Sequence, residues 1–306
     1  ASTGSLNHLR TGPMVFCGSR LRGCTAALTT LVGGCSLVID VVGKPCVEGQ
    51  MESDLIAHWG FDEGTGVDIY DSTGNDNDGV LDGFEGDEWV VGKGGVGTAL
   101  EFDGVDDYVD FGGARVNQLA RQAYDALTIS VWYKSRDGIV GGLTETPEYI
   151  FWSHTSGIPN RSWPTILLMI GHRWWPNEYS EPVHARPYLG IKESWSDSTW
   201  GQVSGTTDVV SDQEWHHIVA IRTGGGASSR LRIYVDGNSE GDVVDANGGD
   251  ILVNDPETAS SQPIQIYVGG QASWGDAWVD GQLDDLRIYT RALAPDEIMR
   301  IFTCSP

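Results

Sequence analysis

The chain has 306 residues and carries 43 acidic against 19 basic side chains, a formal net charge of −24. That excess repels a phosphate backbone and no basic stripe interrupts it, so nucleic acid is excluded as a partner. The length suffices for one large all-β core, alone or with a small appendage.

The first fifty residues differ from the rest. Arg10, Arg20, Arg22 and Lys44 outnumber Asp40 and Glu48 there, while the acidity lies downstream, which marks a boundary near residue 50. Arg20 and Arg22 precede the small apolar run Ala26–Val32, the charge-then-apolar order of a secretory leader. Leu31-Val32-Gly33-Gly34-Cys35 resembles a lipoprotein cleavage box, with Cys35 as the lipid-anchor site. The run is too short and too rich in Gly and Thr for a membrane span. The other reading is an N-terminal β-hairpin extension with Cys24 or Cys35 in disulfides. Residues 1–50 are therefore a leader or an extension, and 51–306 the domain.

Along that domain, period-two runs alternate with Gly, Asn and Asp. In Thr128–Lys134, Ile129, Val131 and Tyr133 share one face, opposite Thr128, Ser130, Trp132 and Lys134. In Leu231–Val235, Leu231, Ile233 and Val235 oppose Arg232 and Tyr234, and Asp236-Gly237 predicts a tight hairpin because Gly accepts positive φ. His217–Ile221 and Ile264–Val268 read as strands too. Of His216 and His217, adjacent on a strand, one is expected to be packed. Segment 153–213 is a long insert rich in Trp, His, Pro and Arg. In the final run, Gly281–Tyr289, Asp284 and Asp285 are adjacent, so one must face inward or lie at an edge where a cation, an arginine or backbone donors satisfy it. Only Pro295–Phe302 reads as a helix, with Pro295 near its start and Asp296 and Glu297 in the first turn. Many short strands with turn signals predict a two-sheet sandwich.

Several segments, in order, carry a family resemblance. They are Ala57–Gly66 (AHWGFDEGTG), Asp71–Gly79 (DSTGNDNDG), Ala99–Val109 (ALEFDGVDDYV), Leu127–Tyr133, Glu214–Ala220 (EWHHIVA), Leu231–Gly237 and Gly281–Ile298. Together they make Leu55 to Phe302 resemble the laminin-G-like, concanavalin A-like jelly-roll domains of secreted bacterial proteins. The resemblance implies an all-β, two-sheet antiparallel jelly-roll sandwich with one short C-terminal helix. It implies that the first and last strands pair, placing Trp59 near Leu286. It brings Cys46 and Cys304 within reach of a disulfide; the alternative leaves Cys46 in the leader and Cys304 a free thiol. It also implies a structural Ca²⁺ held by Asp71, Asp103, Asp106 and Asp285. The residues allow a second reading, in which Asp71 and Asp103 cap tight turns through their own backbones.

A fold of this kind hosts many functions. The insert supplies a set suited to sugars, in which Trp or Tyr faces cover the apolar side of a pyranose and polar groups grip hydroxyls: Trp174, Trp175, Tyr179 and Tyr188 with Arg173 and Asn177. The expectation is a secreted or surface-attached, Ca²⁺-stabilised carbohydrate-binding or adhesion domain whose partner is a cell-surface or matrix polysaccharide. One alternative is a polysaccharide-degrading lyase or glycoside hydrolase using the insert, with His154, His172, His184, Arg173 and Tyr179 as loose candidates. No Glu-x-Asp-x-x-Glu strand accompanies them, and no catalytic set is assigned. The other is a structural subunit of an extracellular assembly.

Overall fold

The computed structural model describes residues 53–86, 88–111, 123–136, 138, 147–155, 164–171, 185–191, 201–226, 228–245, 251–252, 264–270 and 277–304. They belong to the compact unit Glu48–Pro306. The leader and anchor readings, with Cys24, Cys35 and Cys46, lie outside them.

The strands in chain order are β1 (Leu55–Trp59), β2 (Asp68–Ile69), β3 (Gly79–Asp82), β4 (Trp89–Val91), β5 (Thr98–Asp103), β6 (Tyr108–Asp110), β7 (Ala123–Tyr124), β8 (Leu127–Ser135) and β9 (Glu148–Thr155). They continue as β10 (Pro164–Ile170), β11 (Pro187–Ile191), β12 (Gly201–Ser204), β13 (His216–Arg222), β14 (Arg230–Val235), β15 (Asn238–Val244), β16 (Ile251–Leu252), β17 (Ile264–Val268) and β18 (Asp280–Tyr289). One eight-stranded sheet runs β15-β14-β13-β8-β18-β5-β4, with β1 also on β18; the other runs β12-β11-β10-β9-β17-β6-β3-β2. The strand pairs of both are antiparallel, and the chain is the expected two-sheet sandwich.

The core lies between the sheets and follows the alternation. Ile129, Val131 and Tyr133 of β8 and Leu231, Ile233 and Val235 of β14 point into it, with Trp59, Phe102 and Phe111. Trp59 packs 4.2 Å from the Phe111 ring and donates its indole N–H to the Asn77 carbonyl, which satisfies its one buried polar group. Between β14 and β15, Asp236 and Gly237 both adopt positive φ, 50° and 77°, the hairpin geometry that Asp-Gly favours.

Strand β18 organises the first sheet. Its first half pairs with β5 and its second half with β1, with Trp59 opposite Leu286 as expected. Leu283, Leu286 and Ile288 are all buried in the core. A spacing of three followed by two cannot fit one strict alternation. A bulge between Asp284 and Arg287, with Asp285 at φ 50°, restores the phase. Both acids are then satisfied. Asp284 Oδ2 accepts the Lys93 N–H at 2.9 Å, and Asp285 Oδ1 takes the Arg287 Nε–H at 2.9 Å and lies 2.7 Å from His58 Nε2.

The helix α1 (Pro295–Cys304) runs slightly beyond its predicted end. Glu297 accepts the Ala294 N–H and both arms of the Arg291 guanidinium. Ile298 and Ile301 pack with Val219, Ile221, Tyr234 and Tyr289, covering the outer face of the first sheet. Phe302 stacks on Trp132. Cys304 is disulfide-bonded, which removes the free-thiol alternative; its partner lies outside the described residues. Among the described residues no helix is long and apolar enough to cross a membrane.

Candidate functional site

With α1 over the first sheet, the outer face of the second sheet is the place to look for a binding surface. Its strands send alternate residues away from the core. In β17, Ile266 and Val268 point in and Tyr267 points out; in β10, Ile166, Leu168 and Ile170 point in and Leu167 and Met169 out. In β9 a register shift opposite Leu168 and Met169 lets Ile150 and Phe151 both enter the core. Tyr149 and Trp152 consequently share the outer face.

Cross-strand register aligns these positions. Asp110 lies opposite Tyr267, Tyr267 opposite Trp152, Trp152 opposite Leu167, and Tyr149 opposite Met169. The result is a chain of rings. Tyr149 is 6.1 Å from Trp152, Trp152 is 5.9 Å from Tyr267, and Tyr267 meets Tyr108 edge-on at 5.6 Å. Trp278 lies 6.0 Å from Tyr108. Trp152 is buried, whereas Tyr108, Tyr149, Tyr267 and Trp278 are half-buried and reach solvent.

The polar groups along this row are acidic or neutral. The Tyr108 hydroxyl donates to Asp82 Oδ2 at 2.9 Å, and its phenol is raised by burial and by that carboxylate. Burial, then Asp110, push the Tyr267 phenol up to about 12. Tyr188, an expected sugar contact, is on the same face. It is packed, only 2% exposed, and donates to Gln202 Oε1 at 2.8 Å. The remaining expected contacts, Trp174, Trp175, Tyr179, Arg173 and Asn177, lie outside the described residues, as do His172 and His184. Sequence reasoning missed Tyr108, Tyr149, Trp152, Tyr267 and Trp278 as a group. The available signal was the aromatic between two core residues in Ile266-Tyr267-Val268 and its counterpart in Tyr108-Val109-Asp110.

A second constellation lies where β5 turns into β6. The carboxylates of Asp103, Asp106 and Asp107 offer ligand oxygens all within 4.8 Å of one another. Asp103 Oδ1 accepts the Val105 N–H at 2.8 Å, and Asp107 Oδ2 accepts the Asp103 N–H at 2.8 Å. The turn is tightly packed: Gly83, at φ 91°, is so close that a Cβ there would sit 2.2 Å from the Asp106 carbonyl oxygen. Burial raises the Asp107 carboxyl to about 7, with Asp103 and Asp106 adding to the rise. A hard, oxygen-only donor set of this kind could hold a divalent cation.

Two of the four expected metal ligands therefore come together, joined by Asp107. The other two are engaged elsewhere. Asp71 accepts N–H groups from His58, Thr73 and Asn77 and the Asn77 side-chain amide, so it ties a turn to β1. Asp285 is held by Arg287 and His58. Among the strand histidines, His217 is fully buried, 2.8 Å from the Ser130 hydroxyl, and lowered by burial to about 3. His216 is also buried and lies between Asp236 and Asp212, which raise it against its burial.

A family model described as the concanavalin A-like lectin/glucanases superfamily, of laminin G type, matches residues 103–299. No curated protein matches the chain in sequence. Among solved structures, the binding domain of botulinum neurotoxin DC in complex with rat synaptotagmin II is similar at TM-score 0.52 and 12% identity, over 83% of this chain and 52% of that one. The same binding domain in complex with SialylT is similar at TM-score 0.51 and 12% identity, over 82% and 51%. The sialidase of Trypanosoma rangeli is similar at TM-score 0.51 and 14% identity, over 86% of this chain and 34% of that one. The chain thus spans about half or less of these neighbours, and at such identities the likeness is one of fold.

Proposed function

Since the chain belongs to the concanavalin A-like lectin/glucanase superfamily, we propose that it is an exported carbohydrate-binding module. It engages a cell-surface or matrix polysaccharide on the outer face of the second sheet and is stabilised by Ca²⁺ at Asp103, Asp106 and Asp107. The observation that carries the reading is the ring row Tyr149–Trp152–Tyr267–Tyr108–Trp278. It lies on a rigid sheet, where side chains are held in place before a ligand arrives. Pyranose rings present apolar C–H faces that stack on such side chains, while Asp82 and Gln202 supply acceptors and donors for hydroxyls. The disulfide at Cys304 supports an oxidising compartment. SialylT in one neighbour's complex and the sialidase chemistry of another are carbohydrate-linked, which is compatible with this reading.

The test is titration of the full chain against a panel of neutral, amino and acidic polysaccharides, repeated for Tyr108→Ala and Trp278→Ala. Both rings are partly exposed, so binding should fall by about tenfold or more while the melting temperature moves little. A base–aromatic stack, the nearest measured analogue, contributes about 1–3 kcal/mol. Unchanged polysaccharide binding in both variants would refute the assignment of this face.

A further inference from the structure

Resting on the carbohydrate-binding reading, we propose that the Tyr108–Tyr267–Trp278 end of the row selects glycans bearing protonated amines, that is, amino-sugar polymers, and rejects acidic glycans. Three observations carry it. First, Asp82 is exposed and faces this end, fixed by the Tyr108 hydroxyl at 2.9 Å. A carboxylate accepting one hydrogen bond retains acceptor capacity for an ammonium N–H. Second, Tyr267 and Trp278 both flank Tyr108, at 72° and 41° to its ring plane. A ring beside a carboxylate, as Tyr108 is beside Asp82, adds a cation–π attraction for an ammonium that a neutral hydroxyl lacks. Third, among the described residues no outward strand position between Asp82 and Gln202 carries Lys or Arg, whereas Asp82 and Asp110 are acidic. Those two carboxylates give this end a negative field. A uronic or sialic carboxylate would meet that field, and the chain's net charge of −24, with no described strand cation to receive it.

The experiment titrates the full chain with length-matched oligomers of glucosamine, N-acetylglucosamine and galacturonate, below the pH at which the amine loses its proton. Glucosamine oligomers should bind about fivefold more tightly than the acetylated ones, the scale of one exposed cation–π and ion-pair contact. The galacturonate series should bind most weakly. In Asp82→Asn the amine preference, the ratio of glucosamine to acetylated oligomer affinity, should fall to within about twofold, the scale left once the ion pair is gone, whatever change both affinities share. Tyr108→Phe, which loses the hydroxyl but keeps the ring and the carboxylate, should retain the preference. Equal binding of amine and acetylated oligomers, a preference that survives Asp82→Asn, or tighter binding of galacturonate would each overturn the inference and leave the carbohydrate-binding reading standing. Binding of none of the three, nor of any polysaccharide in the wider panel, would overturn both.

Discussion

Asp284→Asn should stabilise the domain at neutral and higher pH, although it removes a charge from a motif at the centre of the fold. Asp284 is buried in β18 between the strands that share its edge, and burial, with Asp285 and Asp62 nearby, raises its carboxyl to about 7. The unfolded carboxyl titrates near its ordinary value, 3.8. A carboxyl raised on folding holds a proton in the native state that the unfolded chain has lost, so its stabilisation is complete below pH 4 and lost as pH rises through 7. The slope is about −1.4 kcal/mol per pH unit over that window, and the loss is about 4 kcal/mol at pH 8 as an upper figure. Asn retains an oxygen for the Lys93 N–H and carries no charge, so the variant should lack this slope. Asp107 contributes a parallel slope over the same window. His217, neutral in the fold down to about 3, contributes an opposite one between pH 3 and 6.5. The wild-type minus variant difference isolates Asp284. The assay is urea unfolding of both proteins from pH 4.5 to 8.5 in chelator. Parallel stability curves, or a variant less stable at pH 8, would refute the reasoning.

Calcium at a hundredfold excess over its Kd should stabilise the wild type by about 2.7 kcal/mol at pH 8, and Asp103→Ala should abolish that gain in a thermal melt. Gly83→Ala should do the same and also lower the melt of the chelated protein, because a Cβ there meets the Asp106 carbonyl and the residue holds φ 91°. Asp245→Ala should cost about 3–5 kcal/mol in urea unfolding, since it removes the charge partner of the buried Arg222 guanidinium, whose Nε lies 2.8 Å from that carboxylate.

Much of the fold was legible because alternation and turn chemistry act locally. Ile129, Val131 and Tyr133 face the core as their period dictates, Asp236-Gly237 makes its hairpin, and the motif order placed β1 beside β18. The demand that Asp284 and Asp285 be satisfied was also readable, since a buried carboxylate has few ways to exist. The partners were not. Lys93 and His58 are distant in sequence and reach β18 only through the pairing of β5 and β1 around it. The acidic cluster at the β5–β6 turn was only partly legible for a similar reason. Asp103 and Asp106 share a tight turn, but Asp107 joins them only because its side chain turns back onto the Asp103 N–H. Asp71 and Asp103 each accept the backbone N–H two residues on, as the turn-capping alternative has it.

The ring row was hidden by a bulge. Tyr149-Ile150-Phe151-Trp152 is four large apolar residues in succession, and strict alternation sends Tyr149 and Phe151 to one face and Ile150 and Trp152 to the other. The register shift between β9 and β10 changes that phase, so Ile150 and Phe151 are core and Tyr149 and Trp152 are surface. A bulge is a property of two strands together and leaves no mark on either one. The bulge in β18 differs, because Leu283, Leu286 and Ile288 are separated by polar residues and their uneven spacing is visible in the chain. A face built from consecutive apolar residues is therefore the kind that sequence periodicity reads as core, and attention goes instead to aromatic-rich segments such as the one holding Trp174 and Trp175. On this fold the sheet deserves equal weight. Its rings are fixed by backbone pairing on both sides, and fixed rings lose less freedom when a sugar stacks on them.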